Sequence, residues 1–137
     1  MMYDLHNSIK VSRAISPVNT TDNTAMVSQI IDMQGYGSLE FLIATGSLAD
    51  ANATYTVLVE DGAISTLTDN VAVADEFLLG TEALAGFQFD DDNKVRKIGY
   101  QGNQRYVRLT ITPASNTGDS YISAVAVQGT ARTNPVA

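Results

Sequence analysis

Short segments in which apolar and polar residues alternate recur along this chain, and a period of two is typical of β-strands. The clearest series are Leu39, Phe41 and Ile43, then Tyr55, Val57 and Val59, and finally Val107, Leu109 and Ile111. Turn signals separate such segments roughly every 8 to 12 residues, which predicts an all-β fold, an antiparallel β-sandwich. The pattern does not distinguish a jelly-roll from an immunoglobulin-like topology. Residues 39 to 44 are almost equally apolar on both faces, so burial on both sides of that strand is expected.

The stretch around Gly102 and Asn103 is predicted to form the central hairpin of the domain. Two β-favouring runs, 95–100 and 105–112, flank these two residues, and a two-residue turn requires a positive φ that glycine adopts readily. The hairpin would hydrogen-bond the two runs to each other. Its register places Arg96 among apolar side chains. A bulge or an edge position would allow this arginine to reach solvent.

Positive charge is concentrated in the same stretch. Five of the eight Lys and Arg residues lie there, and they are Lys94, Arg96, Lys97, Arg105 and Arg108. One interpretation is an edge hairpin that charge protects from mispairing. The other is a basic patch, carried by Arg96, Arg105 and Arg108, that binds an acidic surface such as that of an identical neighbour.

Both ends of the chain are expected to be extended arms around one domain. The predicted boundaries are an N-terminal arm over 1–23, the β-sandwich over 24–128 and a C-terminal tail over 129–137. The arm would contact other chains through the apolar residues Leu5, Ile9, Val11 and Ile15. Deletion of residues 1–16 is then expected to leave a folded sandwich.

Residues 63–86 have no clear period. A short helix is allowed, with Asp69 as its N-cap and Gly80 as its stop. The favoured interpretation is a long covering loop with at most one turn of helix.

The sequence offers no recognisable set of catalytic or cofactor-binding residues. The chain has no cysteine and one histidine, His6, so neither a Ser-His-Asp nor a Cys-His arrangement can be assembled. We therefore expect no enzymatic activity and no cofactor. Hard oxygen ligands at 90–93 allow a calcium site, but a solvated turn that pairs with Lys94 and Arg96 is favoured, so no metal is predicted.

Charge and hydropathy exclude two further classes of partner. The net charge of −7 disfavours a general nucleic-acid binder, because phosphate attraction rewards positive charge. No apolar run approaches the roughly 20 residues that span a bilayer. The polar N-terminus lacks the apolar core of a signal peptide, so synthesis in the cytoplasm is expected.

Four segments, 35–41, 55–62, 92–100 and 105–113, resemble a family of small proteins of tailed bacteriophages and related gene-transfer particles. Those proteins are encoded beside the major capsid protein and are regarded as head decoration, or cement, proteins. The resemblance covers residues 25–128 in order and spacing. It implies a β-sandwich on the capsid exterior of the virion, assembled as trimers, that binds the major capsid protein and stabilises the shell against the pressure of DNA.

A carbohydrate-binding β-sandwich of a phage tail or adhesin is the alternative function. A sugar platform would use tyrosines, and the candidates are Tyr36, Tyr55, Tyr100, Tyr106 and Tyr121. Packing in the core or at an edge is the commoner role for such residues.

Overall fold

The computed structural model describes residues 4 to 133 and residue 136, and the strands in this part of the chain form two antiparallel sheets. The strands are β1 (Lys10–Thr20), β2 (Met26–Val27), β3 (Ile31–Asp32), β4 (Tyr36–Leu48), β5 (Thr54–Gly62), β6 (Val71–Ala72), β7 (Leu78–Leu79), β8 (Phe87–Gln88), β9 (Val95–Tyr100), β10 (Tyr106–Ala114) and β11 (Ser120–Ala131). One turn of α-helix, α1 (Glu82–Ala85), and two 3-10 turns, His6–Ser8 and Asp75–Phe77, complete the described elements.

Sheet A has the strand order β1-β11-β4-β9-β7, and sheet B has the order β2-β10-β5-β6. Two short strands extend sheet B, since β3 also pairs with β10 and β8 also pairs with β5. The two sheets pack face to face, which confirms the predicted all-β antiparallel sandwich.

The core lies between the inward faces of the long strands. The three alternating series of the sequence supply much of it, because Phe41, Val59 and Leu109 and their neighbours are almost fully buried. Each large apolar side chain buried in this way contributes about 1.5 to 3 kcal/mol to folding. Tyr55 stacks on Phe87 with ring centroids 4.7 Å apart, which closes the core beside α1.

The predicted central hairpin is wrong, because β9 and β10 lie in different sheets. Alternation is the same for strands that pair and for strands that face each other across a core, so the pattern alone does not separate the two. The connection crosses from one sheet to the other around the buried ring of Tyr100, whose hydroxyl accepts a bond from Gln104 N at 3.1 Å. Gly102 has no positive φ, and a Cβ there would collide with the Tyr100 hydroxyl. Glycine is therefore required at position 102 because the backbone passes close to the Tyr100 ring. It is not required there by a hairpin turn.

The predicted N-terminal arm also needs correction within the described residues. Residues 10–20 form β1, which pairs with β11 along its length at the edge of sheet A. Ala14 and Ile15 are buried in the core, and the carbonyl of Ala14 accepts a hydrogen bond from Gln29 N at 2.9 Å. At the other end β11 continues to Ala131, beyond the predicted limit at 128.

The segment 63–86 contains one turn of α-helix, as predicted, but it also contributes β6 and β7 to the two sheets. Asp69 is not an N-cap. Its carboxylate accepts hydrogen bonds from the amides of Ala63 and Ile64, which holds the turn after β5. The N-cap of the helix is instead Thr81, whose side chain accepts a bond from Leu84 N at 3.0 Å.

Candidate interaction surface

The two outer faces of the sandwich differ in chemistry. The outer face of sheet B carries threonines on its central strands β5 and β10, together with the ion pair of Arg108 Nε and Glu60 Oε1 at 3.2 Å. Such a mixture of hydroxyls and charges is normal for the solvated face of an antiparallel sheet. The surface of interest is therefore on the other sheet.

The outer face of sheet A is apolar. Cross-strand register places its side chains in rows, one of which runs from Val11 to Val127 and another through Val125 and Leu42. Val11, Val95 and Val125 are 63, 66 and 41 % exposed. The apolar residues of this face are Val11, Leu42, Ala44, Leu79, Val95, Tyr121, Val125 and Val127.

Charge on this face is sparse and one carboxylate lacks a partner. Arg13 and Lys97 lie in the row of Val125 and Leu42. Glu40 lies in the next row, where its Oε2 is buried and makes no hydrogen bond within the described chain. Burial raises the pKa of Glu40, and the nearby positive charge of Lys97 opposes that rise. A charged group that loses water in this way destabilises the free chain unless another molecule supplies a donor.

The size of the face sets what it can bind. Four strands about 4.8 Å apart and about five residues along each strand give roughly 300 to 400 Å². Arg13, Glu40 and Lys97 lie within this area, so its apolar part is no larger than the largest apolar patch on a typical monomer. A stable complex in solution buries about 800 Å² on each partner. The face is thus suited to a weak contact that is repeated many times.

The arginines of the predicted basic patch do not form one surface. Arg96 points inward at the end of β9, whereas Arg105 precedes β10 and Arg108 lies on the outer face of sheet B. Each has an acidic partner in its own chain. Arg96 Nη2 lies 2.8 Å from Asp91 Oδ1, Arg105 Nε lies 2.9 Å from Asp32 Oδ1, and Arg108 bonds Glu60. The hydrogen bonds from Arg105 hold the pKa of Asp32 below its usual value.

The four predicted anchors also separate. Ile15 is buried in the core of its own sandwich, so it is not available to another chain while the domain is folded. Ile9 is half-buried. Leu5 is 68 % exposed before β1, and Val11 lies on the outer face of sheet A. The anchoring role remains a prediction for Leu5, Ile9 and Val11.

Most residues of the apolar face were absent from the predicted site. The sequence feature that marks them is the similar hydropathy of the two faces of residues 39–44. That similarity predicts burial of the strand on both sides. In the structure only one side of β4 is in the core, and Leu42 and Ala44 are half-buried on the outer side. The same pattern therefore marks an exposed apolar face.

The described residues assemble no evident chemical centre. His6 is exposed in the 3-10 turn at the start of the described chain. No group of three or more His, Cys, Asp or Glu side chains in residues 4–133 and 136 is placed to hold a metal ion. Asp91 pairs with Lys94 and Arg96, as predicted, but its side chain is buried and not solvated.

The five candidate tyrosines do not share a surface. Tyr55 and Tyr100 are buried in the core, and Tyr121 lies on the outer face of sheet A. Tyr106 lies on the opposite sheet, and Tyr36 starts β4. An aromatic platform for a sugar ring is therefore not formed by these residues.

No helix among the described residues has the length and apolar character needed to cross a membrane.

Comparison with known proteins identifies the fold and no family. No protein-family model and no curated protein matches the sequence. A chain from the structure of infectious bursal disease virus, Gx strain, matches with a TM-score of 0.51 at 12 % identity. The match covers 93 % of the present chain and 33 % of the viral chain, so the present chain spans about a third of its neighbour. At this identity the likeness shows that a β-sandwich of this kind occurs in a virus structure.

Two further solved structures come from enzymes with carbohydrate-binding modules. One contains the CBM22-1 and GH10 modules of xylanase 10B from Clostridium thermocellum, with a TM-score of 0.47, 11 % identity, and coverage of 96 % of this chain and 28 % of that one. The other is the GH26-CBM35 mannanase of Podospora anserina, with a TM-score of 0.44, 11 % identity, and coverage of 94 % and 29 %. Scores this low support no conclusion about the present chain.

Proposed function

We propose that this protein is a structural component of a virion, a decoration protein that binds the exterior of a tailed-phage head and stabilises the shell. The observation that carries the proposal is the contrast between the apolar outer face of sheet A and the polar face of sheet B. The likeness in fold to a chain of a virus structure and the resemblance of four segments to head decoration proteins support the same assignment.

The partner of the apolar face is the major capsid protein. A contact of a few hundred Å² is weak for a single copy, but neighbours on a lattice raise the effective concentration of each copy. We assign the chain to homo-oligomers, with a trimer favoured, on the capsid exterior. Binding requires no catalysis, no cofactor and no metal.

The test compares the binding of two charge variants to phage heads stripped of decoration. Val125→Lys places a charge in the centre of the apolar face, where burial against the shell would desolvate it. Thr112→Lys places the same charge at an exposed position on the outer face of sheet B. We expect Val125→Lys to reduce occupancy about tenfold or more in co-sedimentation, and Thr112→Lys to bind like the unmodified protein.

Heat-induced DNA release gives the second readout. Heads that carry the unmodified protein or Thr112→Lys should release DNA at a higher temperature than heads with Val125→Lys. Equal occupancy for both variants would refute a contact through the outer face of sheet A. Failure of the unmodified protein to bind heads, together with measurable affinity for a glycan, would favour the alternative carbohydrate-binding module.

A further inference from the structure

The edge of β5 that faces away from β10 pairs with other strands only at its two ends. β8 pairs with β5 at Thr54 and Tyr55, and β6 pairs with it at Glu60 and Asp61. Between these pairs no strand of the described chain lies alongside β5. Strand pairing is therefore interrupted over residues 56–59, and α1 packs beside this gap in the ladder.

The backbone of Val57 points into this gap. Val59 N donates to Glu82 Oε2 at 2.8 Å, and Val59 O accepts from Val73 N at 2.9 Å, so the groups of Val59 point away from β10. Residues two apart in a strand direct their backbone groups to the same side, and Val57 therefore does likewise. Tyr55, two residues before Val57, lies opposite Pro113 of β10, and Pro113 has no N–H that could donate to Tyr55. Within the described chain the N–H and C=O of Val57 have no partner at this edge.

A cleft of about 470 Å³ lies beside these two backbone groups. Its walls include Ala83 and Gly86 of the α1 segment and the ring of Phe87. Ala83 is exposed and small, which leaves room for a side chain above the strand edge.

The charge of the cleft is negative. Glu82 and Asp91 line it, and none of its described lining residues is a lysine or an arginine. Asp91 is paired with Lys94 and Arg96. Glu82 gives one oxygen to Val59, and its other oxygen accepts no hydrogen bond from the described residues. A basic group would complement this carboxylate.

We propose that this cleft binds an extended segment of a partner polypeptide that carries a lysine or arginine, as one added strand on β5. The segment would exchange two hydrogen bonds with Val57 and place its basic side chain near Glu82. Addition of a strand to an exposed sheet edge is a general mode of peptide recognition, in which backbone bonds give affinity and side-chain pockets give specificity. The site is on sheet B, so it is independent of the proposed contact of sheet A with the shell.

The experiment is NMR-detected amide exchange on the isotope-labelled full chain. In the free protein Val57 N–H should exchange much faster than Leu58 N–H, which points toward β10. The probe is a blocked pentapeptide of alternating valine and lysine. Its addition should slow the exchange of Val57 and shift the signals of Ala83 and Gly86. Slow exchange of Val57 in the free protein, or no response to the peptide, would overturn the proposal.

Two pairs of controls define the site. Ala83→Trp would fill the cleft and should abolish the response, whereas Leu84→Trp, at a position that is 74 % exposed on the same helical turn and outside the cleft, should preserve it. Glu82→Gln keeps an acceptor for Val59 and should weaken binding about two- to fivefold. A peptide with glutamate in place of lysine that binds equally well would overturn the assignment of a basic partner, and an unchanged response in Ala83→Trp would overturn the location.

Discussion

Asp91 organises one end of the sandwich through several hydrogen bonds at once. Its side chain is mostly buried, and its carboxylate accepts bonds from Gln88 N at 2.9 Å, Arg96 Nη2 at 2.8 Å and Lys94 Nζ at 3.2 Å. Its backbone carbonyl accepts a further bond from Thr45 Oγ1 at 2.6 Å. The bond from the amide of Gln88, with smaller contributions from the two cations, lowers the pKa of Asp91. The carboxylate thereby ties the start of β9 to β8.

Replacement of Asp91 with alanine should therefore destabilise the fold. The loss of an acceptor for a backbone amide and a partly buried arginine is expected to cost about 1 to 3 kcal/mol at neutral pH. Asp92→Ala, at the exposed neighbouring position, is the control and should change stability by less than about 0.5 kcal/mol. The measurement is urea unfolding of both variants and the unmodified protein.

The same substitution predicts a pH dependence. A carboxyl whose pKa is lowered by folding contributes stability above its unfolded pKa, and that contribution disappears as pH falls through the folded pKa. The difference between the unmodified protein and Asp91→Ala should thus shrink as the pH falls below about 4. A difference that stays constant over this range would show that the charge of Asp91 does not stabilise the fold.

At the scale of elements, β1 decides where the domain begins. This strand is at the edge of sheet A, and edge strands expose backbone groups that can pair with other molecules. Its pairing with β11 is interrupted by register shifts between Arg13 and Ile15 and between Ile15 and Val18, with Pro17 inside the second interval. The carbonyl of Ala14 is occupied by Gln29. These irregularities protect the edge by geometry, whereas the sequence had suggested protection by charge elsewhere.

Deletion of residues 1–16 should consequently unfold or severely destabilise the sandwich. It removes the first part of β1, including Ile15, whose loss from the core alone costs about 2 to 5 kcal/mol out of a typical total of 5 to 15 kcal/mol. Deletion of residues 1–8 keeps the whole strand and should leave the melting temperature nearly unchanged. Circular dichroism melts of the two truncated proteins provide the measurement. A cooperative melt of the shorter protein near the unmodified temperature would restore the interpretation of this segment as an arm.

The whole molecule combines an acidic net charge with one apolar face. At a net charge of −7, copies repel one another in solution, and salt at 0.15 M screens this repulsion beyond about 8 Å. The arginines expected to attract an acidic neighbour are already paired within the chain. In the proposed contact with a lattice, burial of the outer face of sheet A is therefore the main source of attraction.

Salt should accordingly strengthen association. Self-association in analytical ultracentrifugation, and occupancy of phage heads, should rise between about 0.05 and 0.5 M salt for the unmodified protein. Val125→Lys should lose most of this increase. Association that weakens with salt would instead indicate a contact between opposite charges, as the sequence-based hypothesis of a basic patch required.

Local pattern determined the fold class and the identity of the core residues on β4, β5 and β10. The series around Phe41, Val57 and Leu109 alternate because one face of each strand is buried, and this requirement acts on each strand separately. Turn chemistry likewise separated β9 from β10 at Gly102 and Asn103, although the connection is not a hairpin. The all-β sandwich was therefore predictable without knowledge of which strands are neighbours.

Tertiary structure alone decided strand partnership and the candidate site. Whether β9 and β10 pair or face each other depends on the path of residues 101–105 around Tyr100, which alternation does not encode. The sequence pattern assigns Arg105 and Arg108 to a protected edge or a basic patch, but they form ion pairs with Asp32 and Glu60, which are distant in sequence. The apolar face arises because β1, β11, β4 and β9 become neighbours, so it exists only in the folded sheet. Burial of one strand face is encoded in the sequence of that strand, whereas a surface requires several strands to be placed side by side.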